Sequence, residues 1–253
     1  MVPLYSVLKT KINALQYDQI LDQMASWIDQ KEHGRYIIAA NVHVVMQAYK
    51  DTQFKWATDQ ADLIVPDGMP LVYIGRWRGL PIKNRAYGPT IMQKALANSS
   101  QNGWSHFFYG GTPQVLDSLA QILNLNYPGI RIAGSYAPPF RPLSEEEDQL
   151  IIEKINQSNP DVLWVGLGCP KQEFWMSEHH NHLNVPVMVG VGQAFDLLAG
   201  VKKPAPAWMS SIGLEWAYRL VTEPRRLWKR YLINNPWFIG LVIKEEIEMR
   251  LKK

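Results

Sequence analysis

The chain has 253 residues, 47% of them hydrophobic, so it can bury a sizeable core and fold as one compact domain. Its formal net charge of +3 excludes an overall strongly basic or acidic chain, and the positive residues concentrate near the C-terminus. The single cysteine, Cys169, excludes an internal disulfide framework and favours a reducing compartment.

The N-terminal segment, residues 1–20, is interrupted by polar and charged residues where a secretory signal needs a continuous apolar stretch. The best apolar run, residues 236–243, is far shorter than the roughly 20 residues of a membrane-spanning helix. We therefore expect a cytoplasmic protein that does not span a membrane.

Short apolar runs, each followed by a polar or glycine-rich turn and then by helical periodicity, indicate strands that alternate with helices. In chain order these runs are residues 36–40, 63–65, 106–109, 161–165 and 185–189. The alternation predicts an α/β, Rossmann-like fold with a mostly parallel sheet flanked by helices. Ligands of such sheets bind beyond the carboxyl ends of the strands, where the polar turns gather.

Two helix starts carry clear signals. Thr112 is suited to the N-cap and Pro113 to the first position of a helix that ends near residues 127–129. Ser144 is suited to cap a helix with an acidic first turn at residues 145–147. We divide the chain into a core, residues 1–207, and a basic-aromatic helical appendage, residues 208–253.

Several polar positions after the strands suit a ligand site. Asp67 follows an apolar run and precedes Gly68, so it is either exposed in a cleft or caps the next helix. The glycine pairs after the later strands suit either phosphate binding or tight packing. No DxD motif lies at a strand end, and the histidines of residues 179–182 are interpreted as a solvated face, so we expect no metal site.

Five segments together resemble the WecG/TagA/CpsF family of glycosyltransferases over nearly the whole chain. They are PDG (66–68), FYGG (108–111), GLGCPKQE (166–173), GVGQAFDLLAG (190–200) and GLEWAYRLVTEPRRLWKRYL (213–232). The resemblance implies an inverting transfer, without a metal or other cofactor, from a UDP-sugar to a polyprenyl-diphosphate-linked saccharide of the cell surface. The transferred sugar of such relatives is N-acetylmannosamine, its uronic acid, a hexose or a hexuronic acid.

The resemblance also implies roles for individual residues. Asp67 matches the proposed general base and Gln172 an active-site glutamine, while Asn41 follows the first strand and Arg85 lies near the donor. Asp196 is suited to hold the ribose hydroxyls. The remaining substrate-binding candidates are Gly110, Gly111, Lys171, Glu173, Gly192, Gln193, Arg219, Arg225 and Arg226.

Two positions depart from the family pattern. Ala39 stands where many members carry threonine, and Pro204 stands where an arginine usually precedes Ala-Pro. Both departures concern the donor pocket.

The C-terminal segment interleaves tryptophans with basic residues, which is typical of an anionic lipid interface. The residues are Trp208, Trp216, Trp228 and Trp237, with Arg219, Arg225, Arg226, Lys229 and Arg230. We expect peripheral binding to the inner face of the cell membrane, where the family's appendage arginines would also neutralise diphosphate. Ordinary core packing, a solvated face and nucleic-acid binding remain alternatives for this pattern, and we expect no nucleic-acid partner.

Two other functions remain open. Glycine pairs after strands also suit a nucleotide-cofactor oxidoreductase or methyltransferase, although neither residues 166–171 nor residues 190–195 complete a GxGxxG motif. A non-catalytic membrane-associated scaffold would need only the basic-aromatic segment. Relatives suggest a homo-oligomer, which no sequence feature here demonstrates.

Overall fold

A computed structural model describes residues 2–251 as helices packed on a parallel sheet. The strands are β1 (Leu4–Val7), β2 (Thr10–Asn13), β3 (Arg35–Ala40), β4 (Leu63–Pro66), β5 (Ser105–Gly110), β6 (Arg131–Tyr136), β7 (Val162–Gly166) and β8 (Val187–Gly190). Strands β1 and β2 form an antiparallel hairpin, and the other six form one sheet in the order β4-β3-β8-β7-β5-β6.

The helices cover both faces of this sheet. They are α1 (Tyr17–Asp29), α2 (Val42–Lys50), α3 (Thr52–Asp59), α4 (Met69–Trp77), α5 (Gly88–Asn102), α6 (Pro113–Asn126), α7 (Glu145–Ser158), α8 (Lys171–His179), α9 (Ala194–Leu198), α10 (Ala207–Ser211), α11 (Glu215–Thr222), α12 (Pro224–Trp228) and α13 (Asn234–Leu251), with a π-helical turn at Lys229–Ile233. Alternate residues of β3 pack into opposite hydrophobic cores. Tyr36 and Ile38 are buried on one face of the sheet, and Ile37 is buried on the other. Burial on both faces explains why the strands are continuous apolar runs.

The predicted fold class is confirmed. All five predicted apolar runs overlap strands of the parallel sheet, and each strand leads into a polar turn. Strand β4 lies on one side of β3, and the remaining strands of the sheet lie on the other side, beginning with β8. The sheet order therefore changes sides between β3 and β8, and the loops after β3, β4, β7 and β8 meet at the carboxyl edge near this point. This edge is the expected position of a ligand site in an open parallel sheet.

Three strands were not predicted from the sequence. The hairpin of β1 and β2 turns through Leu8 and Lys9, both at positive φ, so the glycine or asparagine that usually marks such a turn is missing. Strand β6 lies at the edge of the sheet and has no fully buried residue. Its sequence therefore lacks the apolar run of a central strand.

Both predicted helix starts are confirmed. The Thr112 side chain accepts a hydrogen bond from the Val115 N–H (3.3 Å), and Pro113 opens α6. Ser144 and Glu147 form a capping box at the start of α7. Helix α6 ends at Asn126, directly before the predicted stop.

The C-terminal helix α13 is seated on the core. Lys50 donates to Asn234 (2.6 Å), and Phe238 and Val242 are buried in the core beneath α13. Farther along, Arg78 forms ion pairs with Glu245 (3.0 Å) and Glu246 (2.5 Å). Within residues 2–251, no helix has both the length and the hydropathy needed to cross a membrane. The boundary at residues 207 and 208 stays a prediction.

Candidate active site

The loops at the carboxyl edge of the sheet surround a central cleft of about 150 Å³. Asn41 follows β3, Asp67 follows β4, and Gly192 follows β8; all three line this cleft. Arg219 and Arg230, from the C-terminal segment, line it as well. The fold therefore brings residues from distant parts of the sequence to one place.

Asp67 is held at the end of β4 with its carboxyl group shielded from solvent. Its N–H donates to the Ala40 carbonyl (2.7 Å), while its Oδ1 has no hydrogen-bond partner. Gly68 packs closely here, because a Cβ on it would lie 3.2 Å from Asn41. Gly68, not Asp67, is the N-cap of α4, and no side chain caps that helix, so the helix-capping alternative for Asp67 is wrong.

The environment of Asp67 keeps its carboxyl group near the midpoint of titration at neutral pH. Burial raises its pKa to about 7, the Arg85 charge opposes this rise, and the Glu215 charge adds to it. Such a carboxyl group is a suitable proton acceptor at neutral pH, because it is basic enough to take a proton and still ionised in part.

Asn41 joins helix α2 to the C-terminal segment. Its side-chain oxygen caps α2 by accepting from the His43 N–H (3.0 Å), and it also accepts from Arg230 (3.3 Å). Arg230 was expected among the lipid-facing residues. That expectation is wrong, because its guanidinium is largely buried in the cleft, with an unpaired Nε and a pKa lowered by burial.

Arg85 is engaged by a carboxylate of the C-terminal segment. Its Nη2 lies 2.5 Å from Glu215 Oε2, and its guanidinium lies over the Tyr87 ring, 4.1 Å from the centroid. Arg85 also faces Asp67, whose pKa it lowers. The structure thus places Arg85 in the predicted site, where it holds an internal ion pair.

Gln172 and Glu173 lie in the first turn of helix α8 and are both buried. The Gln172 Oε1 accepts from the N–H groups of Gly168 (3.1 Å) and Gly192 (3.0 Å), so it ties together the loops after β7 and β8. Its Nε2 donates to Glu173 Oε1 (3.0 Å). The Glu173 Oε2 has no partner, and burial raises the pKa of this carboxyl group to about 7.

A larger cleft of about 660 Å³ adjoins the central one. It extends between the glycine-rich loops after β5, β7 and β8 and the loop of residues 138–143. Asp196 lies in its wall and forms an ion pair with Lys202 (3.0 Å). The predicted site residues that line it are Gly111, Lys171, Gly192, Gln193, Asp196 and Arg226.

Gly110 does not line these clefts. It ends β5 at φ 129°, and a Cβ on it would lie 2.6 Å from the carbonyl carbon of Gly166. Close strand packing therefore accounts for Gly110, whereas Gly111 beside it lines the larger cleft.

The three predicted arginines of the C-terminal segment are placed differently. Arg219 lines the central cleft with a buried, unpaired Nε, and Arg226 lines both clefts while pairing with Glu223 (2.6 Å). Arg225 is exposed outside the cleft walls.

The histidines after α8 were interpreted as a solvated face, and for His179 this is wrong. His179 is buried, with Nε2 2.6 Å from Asp148 and Nδ1 2.7 Å from the Trp175 carbonyl. Within residues 2–251, no group of three or more His, Cys, Asp or Glu side chains has the arrangement of a metal site.

Besides Arg230, three other residues of the site were not predicted from the sequence. Glu215 and Tyr87 surround Arg85, and His43 lines a smaller cleft beside Asp67 with a buried, unpaired Nδ1. Burial and Arg230 lower the pKa of His43 to about 3, so it is neutral. Each lies close to a feature of the sequence: His43 follows the apolar run of β3, Tyr87 is two residues after Arg85, and Glu215 belongs to the GLEW segment.

Comparisons with known proteins agree with one another. A family model described as "Glycosyl transferase WecG/TagA/CpsF family" matches residues 5–252. The N-acetylglucosaminyldiphosphoundecaprenol N-acetyl-beta-D-mannosaminyltransferase of Bacillus spizizenii is 31% identical over 221 residues, which cover 87% of this chain and 83% of that protein. Enzymes of the same name from Bacillus subtilis (31% over 220 residues, covering 87% and 83%) and Staphylococcus aureus (28% over 225 residues, covering 89% and 86%) are also similar.

This agreement excludes the oxidoreductase, methyltransferase and non-catalytic scaffold alternatives. The match extends over the sheet, the clefts and the C-terminal helices alike. The chain belongs to the WecG/TagA/CpsF family of glycosyltransferases.

Proposed function

We propose that the chain transfers N-acetylmannosamine from its UDP-sugar to N-acetylglucosamine on a polyprenyl diphosphate, with inversion at the anomeric carbon. The names of the similar enzymes specify this transferred sugar and this lipid-linked acceptor. The product would enter the assembly of a cell-surface polysaccharide.

The single observation that supports this proposal best is the state of Asp67. An inverting transfer needs a base that takes the acceptor hydroxyl proton while the hydroxyl oxygen attacks the anomeric carbon. The Asp67 Oδ1 is unpaired, and its pKa is raised to about 7 by burial. As the new glycosidic bond forms, the bond to UDP breaks on the opposite face of the sugar, and Asp67 keeps the proton.

The leaving UDP carries increasing negative charge, which cationic side chains and backbone N–H groups can stabilise. The larger cleft offers Lys171, Arg226 and the glycine loops for the UDP, and the central cleft offers Arg219. Asp196 would hold the ribose hydroxyls, and Gln172 would keep the two glycine loops in position. We propose that these residues suffice without a metal ion.

We further propose that the enzyme works at the inner face of the cell membrane, where its acceptor is anchored. Trp208 and Trp228 are exposed, with Arg225 and Lys229 close to Trp228 in sequence. Exposed tryptophans favour the headgroup region, and each basic residue near an anionic leaflet contributes about 1 kcal/mol. Self-association stays a prediction.

The test uses the purified protein with EDTA, a short-chain polyprenyl-diphosphate-linked N-acetylglucosamine and a panel of UDP-sugars. The panel contains UDP-linked N-acetylmannosamine, N-acetylmannosaminuronic acid, glucose, galactose and glucuronic acid. Mass spectrometry should detect one added N-acetylhexosamine, only from UDP-N-acetylmannosamine, and no product from Asp67→Asn. Transfer of a different sugar would contradict the proposed donor, and product formed only when a divalent metal replaces EDTA would contradict the metal-free mechanism.

A further inference from the structure

The ion pair between Arg85 and Glu215 joins the core to the C-terminal segment across 130 residues of sequence. Arg85 belongs to the loop before α5, and Glu215 is the first residue of α11. Only 16% of the Arg85 side chain and 12% of the Glu215 side chain are exposed. A shielded pair of this kind is far less weakened by solvent than a surface ion pair.

Helix α11 is only partly buried. None of its eight residues is fully buried, and the same holds for the preceding helix α10. One aromatic contact of α11 joins the Trp216 ring to the Tyr231 ring, which lies 5.9 Å away and also belongs to the C-terminal segment. The Glu215 carboxylate gives α11 a direct polar link to Arg85 on the opposite side of the cleft.

Arg219 lies four residues after Glu215 on the same helix. Residues four apart lie on the same face of an α-helix, so the contact that fixes Glu215 also fixes the direction of Arg219. Both side chains line the central cleft with Asp67, and the buried Arg219 Nε has no partner. An unpaired buried donor in the cleft is available to a bound anion.

We infer that Glu215 is a positioning residue: its ion pair with Arg85 holds α11 against the core and so places Arg219 in the cleft beside Asp67. This inference rests on the proposed function for its kinetic consequences, but the seating of α11 can be tested without activity. Arg85 is a positioning residue by the same reasoning, because it is the partner of Glu215 on the core side of the ion pair.

The carboxylate of Glu215 also acts on Asp67 through its charge. Titratable or charged groups that face Asp67 come from α1, from the loop before α5 and from α11; they are Tyr17, Arg85, Tyr87, Glu215 and Arg219. Glu215 raises the pKa of Asp67, whereas Arg85 and Arg219 lower it. Removal of the Glu215 charge therefore lowers the pKa of Asp67, and the base remains ionised at lower pH.

The experiment compares Glu215→Gln, Glu215→Asp and the wild-type protein. Glu215→Gln removes the charge, while Glu215→Asp keeps it but is too short to reach Arg85 in the same way. Hydrogen exchange should become faster in α11 for both variants. The kcat/KM for transfer should fall about tenfold or more in both, because Arg219 is no longer fixed. The acidic limb of the pH profile should lie at lower pH in Glu215→Gln than in Glu215→Asp, because both variants free Arg219 but only Glu215→Gln loses the carboxylate charge.

Glu248→Gln is the matched control, because Glu248 is exposed on α13 and its distance to Lys244 is 3.9 Å. It should leave both readouts at the wild-type values. Wild-type exchange in α11 of Glu215→Gln, or identical acidic limbs in Glu215→Gln and Glu215→Asp, would overturn the inference. If the wild-type protein transferred no sugar, the proposed function would fail, and the exchange comparison would still decide whether Glu215 seats α11.

Discussion

Substitution of Asp67 by asparagine should stabilise the protein at alkaline pH while it removes the proposed base. Burial raises the pKa of Asp67 from 3.8 to about 7, so the native state holds this proton more tightly than the unfolded chain. The stability due to this proton is fully present below pH 3.8 and is lost as pH rises to about 7. At about 1.4 kcal/mol per pH unit, ionised Asp67 opposes folding by about 4 kcal/mol above pH 7.

Urea unfolding at pH 5 and pH 8.5 measures this effect. We expect Asp67→Asn to be more stable than the wild-type protein by about 4 kcal/mol at pH 8.5 and by less than about 2 kcal/mol at pH 5. Asp117→Asn, at an exposed position on α6, is the control. At each of the two pH values, its free energy of unfolding should equal that of the wild-type protein. If Asp67→Asn were no more stable than the wild type at pH 8.5, the conclusion that the Asp67 charge is buried without full compensation would be refuted.

Three further predictions follow from other contacts. Gln172→Ala leaves the N–H groups of two loops without their acceptor. The KM for the UDP-sugar should therefore rise about tenfold in steady-state kinetics. An unchanged KM would contradict the role of Gln172 in holding the loops. Gly110→Ala should lower the free energy of unfolding by about 2 to 4 kcal/mol, because the new Cβ would lie 2.6 Å from the backbone of the neighbouring strand. The control is Gly240→Ala, in a helix with open space around the glycine, which should raise the free energy of unfolding by up to about 1 kcal/mol. Urea unfolding measures both. Trp228→Ala combined with Lys229→Gln should weaken cosedimentation with phosphatidylglycerol vesicles about tenfold. Binding of the wild-type protein to these vesicles should fall with added salt. Equal binding of the wild-type protein to neutral vesicles would contradict the lipid-facing role.

The sheet and the position of Asp67 could be predicted because their signals are local. A buried parallel strand is a continuous apolar run, and the polar residues directly after it must lie at the carboxyl edge. Asp67 and Asn41 both follow such runs. The hairpin of β1 and β2 gave no such signal, because residues without a turn preference occupy its positive-φ positions.

The other half of the site depends on contacts between distant segments. Arg230 reaches Asn41 across 189 residues, and Arg85 reaches Glu215 across 130. The composition of the C-terminal segment resembles a lipid interface throughout, so it does not separate Arg230, which turns inward, from Lys229, which is exposed. That distinction arises only when the segment folds over the edge of the sheet.

The proposed role of Asp67 as the base of an inverting sugar transfer can be examined through the stereochemistry and the rate of product formation. UDP-N-acetylmannosamine with an α-linked sugar should be converted by the wild-type protein in a single turnover, and the new linkage should be identified by NMR. We expect a β-linked product whose rate of formation rises with pH up to about 7 and is at least about a thousandfold lower in Asp67→Asn. An α-linked product would rule out inversion, and a wild-type rate in Asp67→Asn would rule out Asp67 as the base.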